Sequence, residues 1–561
     1  MLLYKNFCEE TFDEFGQLTN MEIKFEESFN FAYDVVDYFA NVDPDREALV
    51  WCDKHGEERI FTFRDLSLLS NQAANVFRSY GIGYGDKVML VLKRHYQYWY
   101  ALLGLHKLGA VAIPATHMMT KRDIIYRIQT ANIKMIVCTP EENIPQEVAM
   151  AALECPQFHQ CMVVKGIGPS TKFCEETNVT YYDFDALIQS AATTLERVMT
   201  KTTDPMLLYF TSGTTGEPKG VLHDYAYPLG HIITARYWQC VIEGGRHLTL
   251  ADTGWAKAAW GKIYGQWLCG SAVMAYDYDQ FYANDVLKVM EKYKVTSFCA
   301  PPTIYRYMVR TKLNLYDLSA LQQVTTAGEA MSEDTFQCFH DMTGLTVREG
   351  FGQTETTLTL ANLKNASIKV GSMGRPTPFY DVDIVDEQEQ SVAPMVEGEI
   401  IMRPKNGARQ VGLFSGYFDA EDQYQYVWRN HVYHTGDLAY RDADGYFWFV
   451  SRKDDVIKSS GYRIGPSEVE NILSLHPAVL ECAVTGVPSE KRGYLVKATI
   501  VLSQGFLPEE SLKVAIQDFV KKEAAAYKCP RVIEFVDRLP KTTNGKIQRD
   551  VIRKMDQKIY S

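Results

Sequence analysis

The sequence predicts an α/β protein of two unequal domains. Three features lead there. Apolar strands alternate with helix-like stretches over the first three quarters of the chain; a turn-rich boundary near Ser451 to Asp455 is followed by a fresh αβ unit; and 561 residues are too many for one ordinary core. The length alone would allow three or four domains of average size, and the pattern favours two.

The elements justify this in order. Lys87-Val-Met-Leu-Val-Leu92 is a continuous apolar run, Tyr96 to Leu108 has helix length, and Ala110-Val-Ala-Ile-Pro114 is a second apolar run. That succession is the βαβ rhythm of a buried parallel sheet, whose strands need no polar face. Gly81-Ile-Gly-Tyr-Gly-Asp86 faintly resembles a dinucleotide fingerprint, but it precedes a strand where such a loop would follow one, so it is a turn. Asp442-Ala-Asp-Gly-Tyr446 predicts a turn between short strands. Pro466-Ser-Glu468 predicts a helix start, with proline where its missing N–H costs nothing. The last hundred or so residues then form a small α/β domain. No repeat or low-complexity segment stands out.

Composition narrows the function classes. With 46% hydrophobic and 23% charged residues, this is an ordinary globular chain. A net charge of -12 and a pI of about 5.6 argue against nucleic acid or an anionic membrane as the main partner. The first ten residues lack an apolar h-region, and no run approaches the roughly 20 apolar residues that span a bilayer, so a cytoplasmic location is expected. The 12 cysteines are scattered, with no Cys-x-x-Cys pair. Cys52, Cys138, Cys240, Cys299 and Cys482 are expected in the core, and Cys155 and Cys161 as free thiols.

The most informative stretch is Tyr209-Phe-Thr-Ser-Gly-Thr-Thr-Gly-Glu-Pro-Lys-Gly220. Thr211, Ser212, Thr214 and Thr215 offer hydroxyl donors, Gly213, Gly216 and Gly220 let backbone N–H groups approach an anion, and Lys219 adds charge. This reads as a phosphate-binding loop. It is not a Walker A loop, because Lys219 lies between Pro218 and Gly220 rather than before a hydroxyl residue.

This loop resembles the signature of the adenylate-forming superfamily, which contains the acyl-CoA synthetases, the adenylation domains of peptide synthetases and firefly luciferase. Four more blocks follow in that family's order: Glu349-Gly-Phe-Gly-Gln-Thr-Glu355, Tyr433-His-Thr-Gly-Asp437, Ser451-Arg-Lys-Asp-Asp455 leading into Ser460-Gly-Tyr-Arg-Ile-Gly-Pro-Ser-Glu468, and Pro540-Lys-Thr-Thr-Asn-Gly-Lys-Ile-Gln-Arg549. The wording of the last two blocks is most similar to the medium-chain acyl-CoA synthetases. The resemblance implies a large N-terminal domain, residues 1–451, of doubly wound mixed sheets with a small β-barrel-like part. A hinge at 452–455 and a small mobile α+β domain at 456–561 follow, with the active site in the cleft between the two domains.

The implied chemistry is ATP-dependent ligation of a carboxylic acid to CoA through acyl-AMP, with Mg²⁺ assisting. Carboxylate oxide is too poor a leaving group for a thiol to displace, so AMP takes its place. Both transition states gather negative charge, which calls for cations and aimed donors. By resemblance, Lys546 bridges the substrate carboxylate and the α-phosphate, Thr354 donates to that phosphate, and Glu355 holds magnesium. Glu355 would also suit a helix N-terminus. The nucleotide is met by Thr211 to Thr215, Lys219, Gly328, Glu329, Ala330 and the block Glu349, Gly350, Phe351, Gly352 and Gln353. Asp437 takes the ribose hydroxyls with Arg452 beside it. Phe351 stands where an aromatic ring stacks on the base, without the hydroxyl of the frequent tyrosine. Asp454 matches the hinge, although Ser451 replaces the glycine usual at the start of that block. Ser460, Gly461, Tyr462 and Arg463 match the loop lining the CoA pantetheine channel.

For the acid, acetate-restricted relatives carry tryptophan where this chain has Gly352, so a deeper pocket is expected, bordered by Trp255, Trp260 and Gly261. Linear acids of short to medium length rank first, branched or aromatic acids second. Gly352→Trp is expected to shift preference toward acetate and propionate. The rivals are adenylation followed by transfer to a carrier protein in trans, a luciferase-like oxygenase, and a silent binding protein that keeps the fold. Lys546 and Glu355 are both present, which disfavours the last. No nucleic acid or membrane span is implied, and a homodimer is left open.

Overall fold

The computed structural model describes residues 2–560 apart from 142, 167–176, 212–217, 406–408, 460–461, 490–492, 525 and 542–546. At 458, 462, 463, 526, 558 and 560 it describes the backbone alone.

The expected βαβ unit is present. The strand Lys87–Val91, the helix Gln97–Leu108 and the strand Val111–Pro114 follow one another, and every residue of that helix is buried. The helix ends at Gly109, whose φ of 73° is the left-handed cap conformation that glycine adopts without strain. These strands pair parallel within an eight-stranded sheet. At one side of this sheet Lys219–Asp224 pairs antiparallel with Pro205–Thr211 and with Gly416–Phe418.

A nine-stranded sheet carries a parallel centre from Val347–Phe351 through Gln323–Ala327, Ser297–Cys299, Arg246–Thr249 and Ala272–Asp277 to Glu47–Asp53, with antiparallel strands at both edges. Both large sheets are therefore mixed, with helices alternating between their strands. An antiparallel five-stranded sheet, Asp381–Val385, Gly398–Arg403, Trp428–Arg429, Val432–Arg441 and Phe447–Arg452, forms the small barrel-like part. The C-terminal region has its own five-stranded sheet and its own core around Ile464, Val469, Val484 and Ile500. Its helix Pro466–Ser474 starts with proline in the first turn, and Glu468 Oε1 accepts the Gly465 N–H at 3.1 Å.

The compact units divide elsewhere than at the expected boundary. One comprises Met1–Asp381 with Pro404–Tyr426, the other Val382–Arg403 with Val427–Ser561. The reason is strand pairing: Val432–Arg441 is hydrogen-bonded to Phe447–Arg452, against which the helix Pro466–Ser474 packs. The barrel-like strands thus cluster with the C-terminal residues. Cys155 and Cys161 are free and buried, as expected. Among the described residues no helix is long and apolar enough to cross a membrane.

Candidate active site

The stretch expected to bind phosphate is flanked by two paired strands, Pro205–Thr211 and Lys219–Asp224. Thr211 stands opposite Lys219 in the antiparallel ladder, and Thr211 Oγ1 donates to the Lys219 carbonyl at 3.4 Å. Ser212, Gly213, Thr214 and Thr215 lie outside the described residues. The next strand over places Tyr417 opposite Val221. Tyr417 Oη donates to Glu355 Oε1 at 2.8 Å, and Lys219 Nζ stands 5.4 Å from the centre of the Tyr417 ring. An ammonium and a carboxylate thus meet around one aromatic side chain at the base of the turn.

Thr354 and Glu355 lie in a turn after the strand Val347–Phe351, so Glu355 does not open a helix. The Thr354 carbonyl accepts from His223 Nε2 at 2.7 Å, and Phe414 N–H donates to the Glu355 carbonyl at 2.8 Å. Burial pushes the His223 pKa down to about 3. The ring is therefore neutral, and because a carbonyl can only accept, its proton is on Nε2. Among the described residues no cluster of three or more acidic, histidine or cysteine ligands could hold a metal by itself. A lone carboxylate such as Glu355 nevertheless suits Mg²⁺, which takes most of its shell from water and phosphate oxygens.

At the end expected to meet the nucleotide, Ala327 pairs with Gly350 in parallel strands, so Gly328, Glu329 and Ala330 emerge beside Phe351 at the carboxyl edge of the sheet. Such edges are where open α/β sheets bind ligands. Glu329 accepts from Thr303 Oγ1 at 3.0 Å. Gln353 N–H donates to Thr356 Oγ1 at 3.0 Å, which shapes the turn. Glu349 is engaged by two backbone donors. Its buried carboxyl accepts the Met331 N–H at 3.1 Å through Oε2 and the Gly371 N–H at 2.7 Å through Oε1. Burial raises its pKa to about 8 despite these two donors. Glu349 thereby links Met331, which follows Gly328 to Ala330, with Gly371.

A Cβ on Gly352 would fall 2.4 Å from Trp260 Cη2 and 2.5 Å from the Thr357 carbonyl oxygen, so the space beside this glycine is filled by the Trp260 indole. Gly350 likewise sits against Trp238, with only 2.8 Å between an added Cβ and the ring. The missing Cβ of Gly261 makes room for Thr249 Oγ1, which would stand 1.9 Å from it, where helix and sheet touch. Trp255 precedes the helix Ala256–Gly261, and its indole N–H has no protein partner among the described residues.

In the other compact unit, Asp437 is buried directly opposite Arg452, whose Nη1 donates to Asp437 Oδ1 and to the Thr435 carbonyl, each at 3.1 Å. Arg452 Nε is also 3.7 Å from Asp454 Oδ1 in the turn that follows. Tyr462 and Arg463 open a strand paired with Ile457–Ser459, and only their backbone is described. Ser460, Gly461 and Lys546 lie outside the described residues.

Reading the sequence missed Tyr417 and His223. Tyr417 carries no local signal, since only cross-strand pairing brings it to Glu355. His223 follows the phosphate loop by three residues and could have been weighed as a buried polar group opposite it.

Lys219 and the Glu355 carboxylate around Tyr417 are groups suited to a nucleotide phosphate and its magnesium ion. The AMP-binding enzyme family model matches residues 36–418 and the AMP-binding enzyme C-terminal domain matches 468–546, and the chain belongs to this family. It is 36% identical over 570 residues to the mitochondrial acyl-coenzyme A synthetase ACSM3 of Mus musculus, covering 99% of this chain and 96% of the relative. It is 38% identical over 552 residues to the mitochondrial ACSM4 of Homo sapiens, covering 97% and 93%. Among solved structures it resembles the anthranilate CoA ligase AuaEII in complex with anthranoyl-AMP, with a TM-score of 0.84, 28% identity and coverage of 95% and 98%. Within its family the chain is an AMP-forming acyl-coenzyme A synthetase.

Proposed function

We propose that this synthetase activates a short- to medium-chain acid at the carboxyl edge of the nine-stranded sheet, using Lys219, Thr354, Glu355 and Lys546 on the nucleotide. The observation that carries this reading is the Lys219, Tyr417 and Glu355 arrangement at the base of the hydroxyl-rich turn. Lys219 and the turn hold the β- and γ-phosphates. Glu355 would hold Mg²⁺, which neutralises charge on the departing pyrophosphate when bound. One oxygen of the acid attacks the α-phosphorus, pyrophosphate leaves, and Lys546 offsets the charge shared by carboxylate and phosphate. The CoA thiolate then attacks the acyl carbonyl and AMP leaves with the shared oxygen. Asp437 and Arg452 take the ribose, Gly328 to Ala330 and Phe351 the base, and Ser460 to Arg463 the pantetheine arm. Asp454 is the hinge between the two half-reactions. Trp255 and Trp260 bound the acyl chain.

AMP release with ATP, Mg²⁺, CoA and acids from acetate to decanoate, with benzoate and branched acids, tests the reading. A clear optimum that requires CoA supports it. Pyrophosphate release without CoA consumption would redirect it to a carrier protein. Lys546→Ala should lose acyl-AMP formation and keep thioester formation from supplied acyl-AMP; equal loss of both refutes the role. The expected cytoplasmic location belongs to the same proposal and is checked by fractionation, since the relatives named above are mitochondrial.

A further inference from the structure

The strands Gly398–Arg403 and Val432–Arg441 pair antiparallel, but their ladder breaks beside Asp437. Glu399 stands opposite Leu438 and Ile401 opposite His434, so Thr435, Gly436 and Asp437 face Ile400 alone. A bulge of this kind re-aims a side chain and leaves peptide groups without a ladder partner. Gly436, with φ +70°, makes the turn in the left-handed region that glycine adopts without strain. Thr435 Oγ1 donates to the Ile400 carbonyl at 2.7 Å and accepts the Asp437 N–H at 3.1 Å. The Gly436 carbonyl accepts the Lys453 N–H at 2.9 Å. That leaves the Gly436 N–H, which Glu399 Oε1 accepts at 3.1 Å.

Glu399 is buried, and its other oxygen is met by side-chain nitrogens: Lys453 Nζ at 2.9 Å, His434 Nδ1 at 3.3 Å and Arg429 Nη2 at 3.4 Å. Burial by itself would raise the pKa of this carboxyl, but the groups around it, His434 and Lys453 first, hold it down at about 2. Glu399 is therefore an anion at neutral pH, and an ionised acceptor binds a backbone N–H more strongly than a neutral one. Lys453 directly follows Arg452, whose Nη1 donates to Asp437 Oδ1 at 3.1 Å. The two charges divide the work. Glu399 fixes the backbone one residue before Asp437, and Arg452 fixes the Asp437 side chain.

We infer that Glu399 is a positioning residue for the nucleotide: through the Gly436 N–H it sets the bulge that presents Asp437, and so sets how well the ribose is held. This rests on the assignment of Asp437 to the ribose made above.

The test is a double-variant cycle read in acyl-AMP formation, with KM taken separately for ATP and for the acid that wild type prefers. Glu399→Ala should raise KM for ATP about tenfold and leave KM for the acid within about twofold. Glu399→Gln, of the same shape without the charge, should fall between wild type and Glu399→Ala. In an Asp437→Ala background, Glu399→Ala should raise KM for ATP by no more than about twofold further, because the side chain it positions is gone. If Glu399→Ala does not melt cooperatively, Glu399→Gln takes its place in the cycle. Equal rises in both KM values, or effects that multiply with those of Asp437→Ala, mark a merely structural role and overturn the inference. A KM for ATP that rises in Asp437→Ala but in neither Glu399 variant also overturns it and leaves the ribose assignment standing. A KM for ATP unchanged in Asp437→Ala overturns both. Activation of no acid by wild type would overturn the ligase reading itself.

Discussion

Gly352→Ala tests the packing on which the acid end is built. The added methyl would lie 2.4 Å from Trp260 Cη2, 2.7 Å from Trp260 Cζ2 and 2.5 Å from the Thr357 carbonyl oxygen. Comfortable contact needs about 3.5 Å or more, so each overlap is on the order of an ångström. Trp260 is buried, with the rings of Trp238 and His231 each 6.2 Å away, and the Thr357 contact is backbone. Neither neighbour is the free end of a flexible chain. Overpacking of this kind costs about 1–3 kcal/mol, and the two-sided clash puts Gly352→Ala near the upper figure. Activity should fall further than stability, because Gln353, Thr354 and Glu355 follow directly. Trp260→Leu removes the ring clash and leaves the carbonyl one, so it should recover about half of the loss, a coupling of roughly 1–2 kcal/mol. Urea midpoints and kcat/KM of wild type, both single variants and the double variant decide the matter. A Gly352→Ala protein as stable as wild type, or strictly additive effects in the double variant, would refute the reasoning. By the same geometry Gly352→Trp should misfold and not merely redirect the enzyme to acetate.

Glu349→Gln replaces one of two acceptors by an N–H₂ facing an N–H, a cost of about 1–3 kcal/mol. Because Met331, which it holds, directly follows the proposed base-binding residues Gly328 to Ala330, KM for ATP should rise while KM for the acid does not; an even rise in both would mark a merely structural role. The raised pKa of Glu349 also has a sign. Its folded value of about 8 lies above the ordinary 4.5, so the folded state holds the extra proton and stability declines as pH rises between those values. Glu349→Gln should flatten that decline in melting temperature. His106, His223 and His247 are buried and neutral, each pushed down to about 3, so stability should fall as pH drops from 6.5 toward 3, where the unfolded chain takes protons the folded one refuses. A melting temperature flat from pH 6.5 to 4 would contradict this. Tyr417→Phe frees Glu355 Oε1 and should change the Mg²⁺ concentration for half-maximal adenylation several-fold; an unchanged value would separate Glu355 from the metal.

Much of the fold was legible because its signals are local. Buried parallel strands must be apolar along their length, which made Lys87–Val91 and Val111–Pro114 readable. The helix at Pro466 announces itself because proline and a capping carboxylate solve the same problem of unpaired N–H groups. The site was legible only as blocks. Glu349 stands inside a nucleotide block yet serves two backbone amides, and nothing in its neighbours shows which way the carboxyl faces.

The sequence by itself determined the two-part α/β architecture and the adenylating family, since each rests on periodicity or on contiguous residues. Tertiary structure alone decided what surrounds those residues. Tyr417 reaches Glu355 from 62 positions away in sequence, Trp260 occupies the space that Gly352 leaves, and Lys257 meets the end of a strand 70 residues on. Chain order constrains neighbours along the backbone. Sheet register and close packing choose the neighbours in space, and it is those that settle charge, volume and hydrogen bonding at the site.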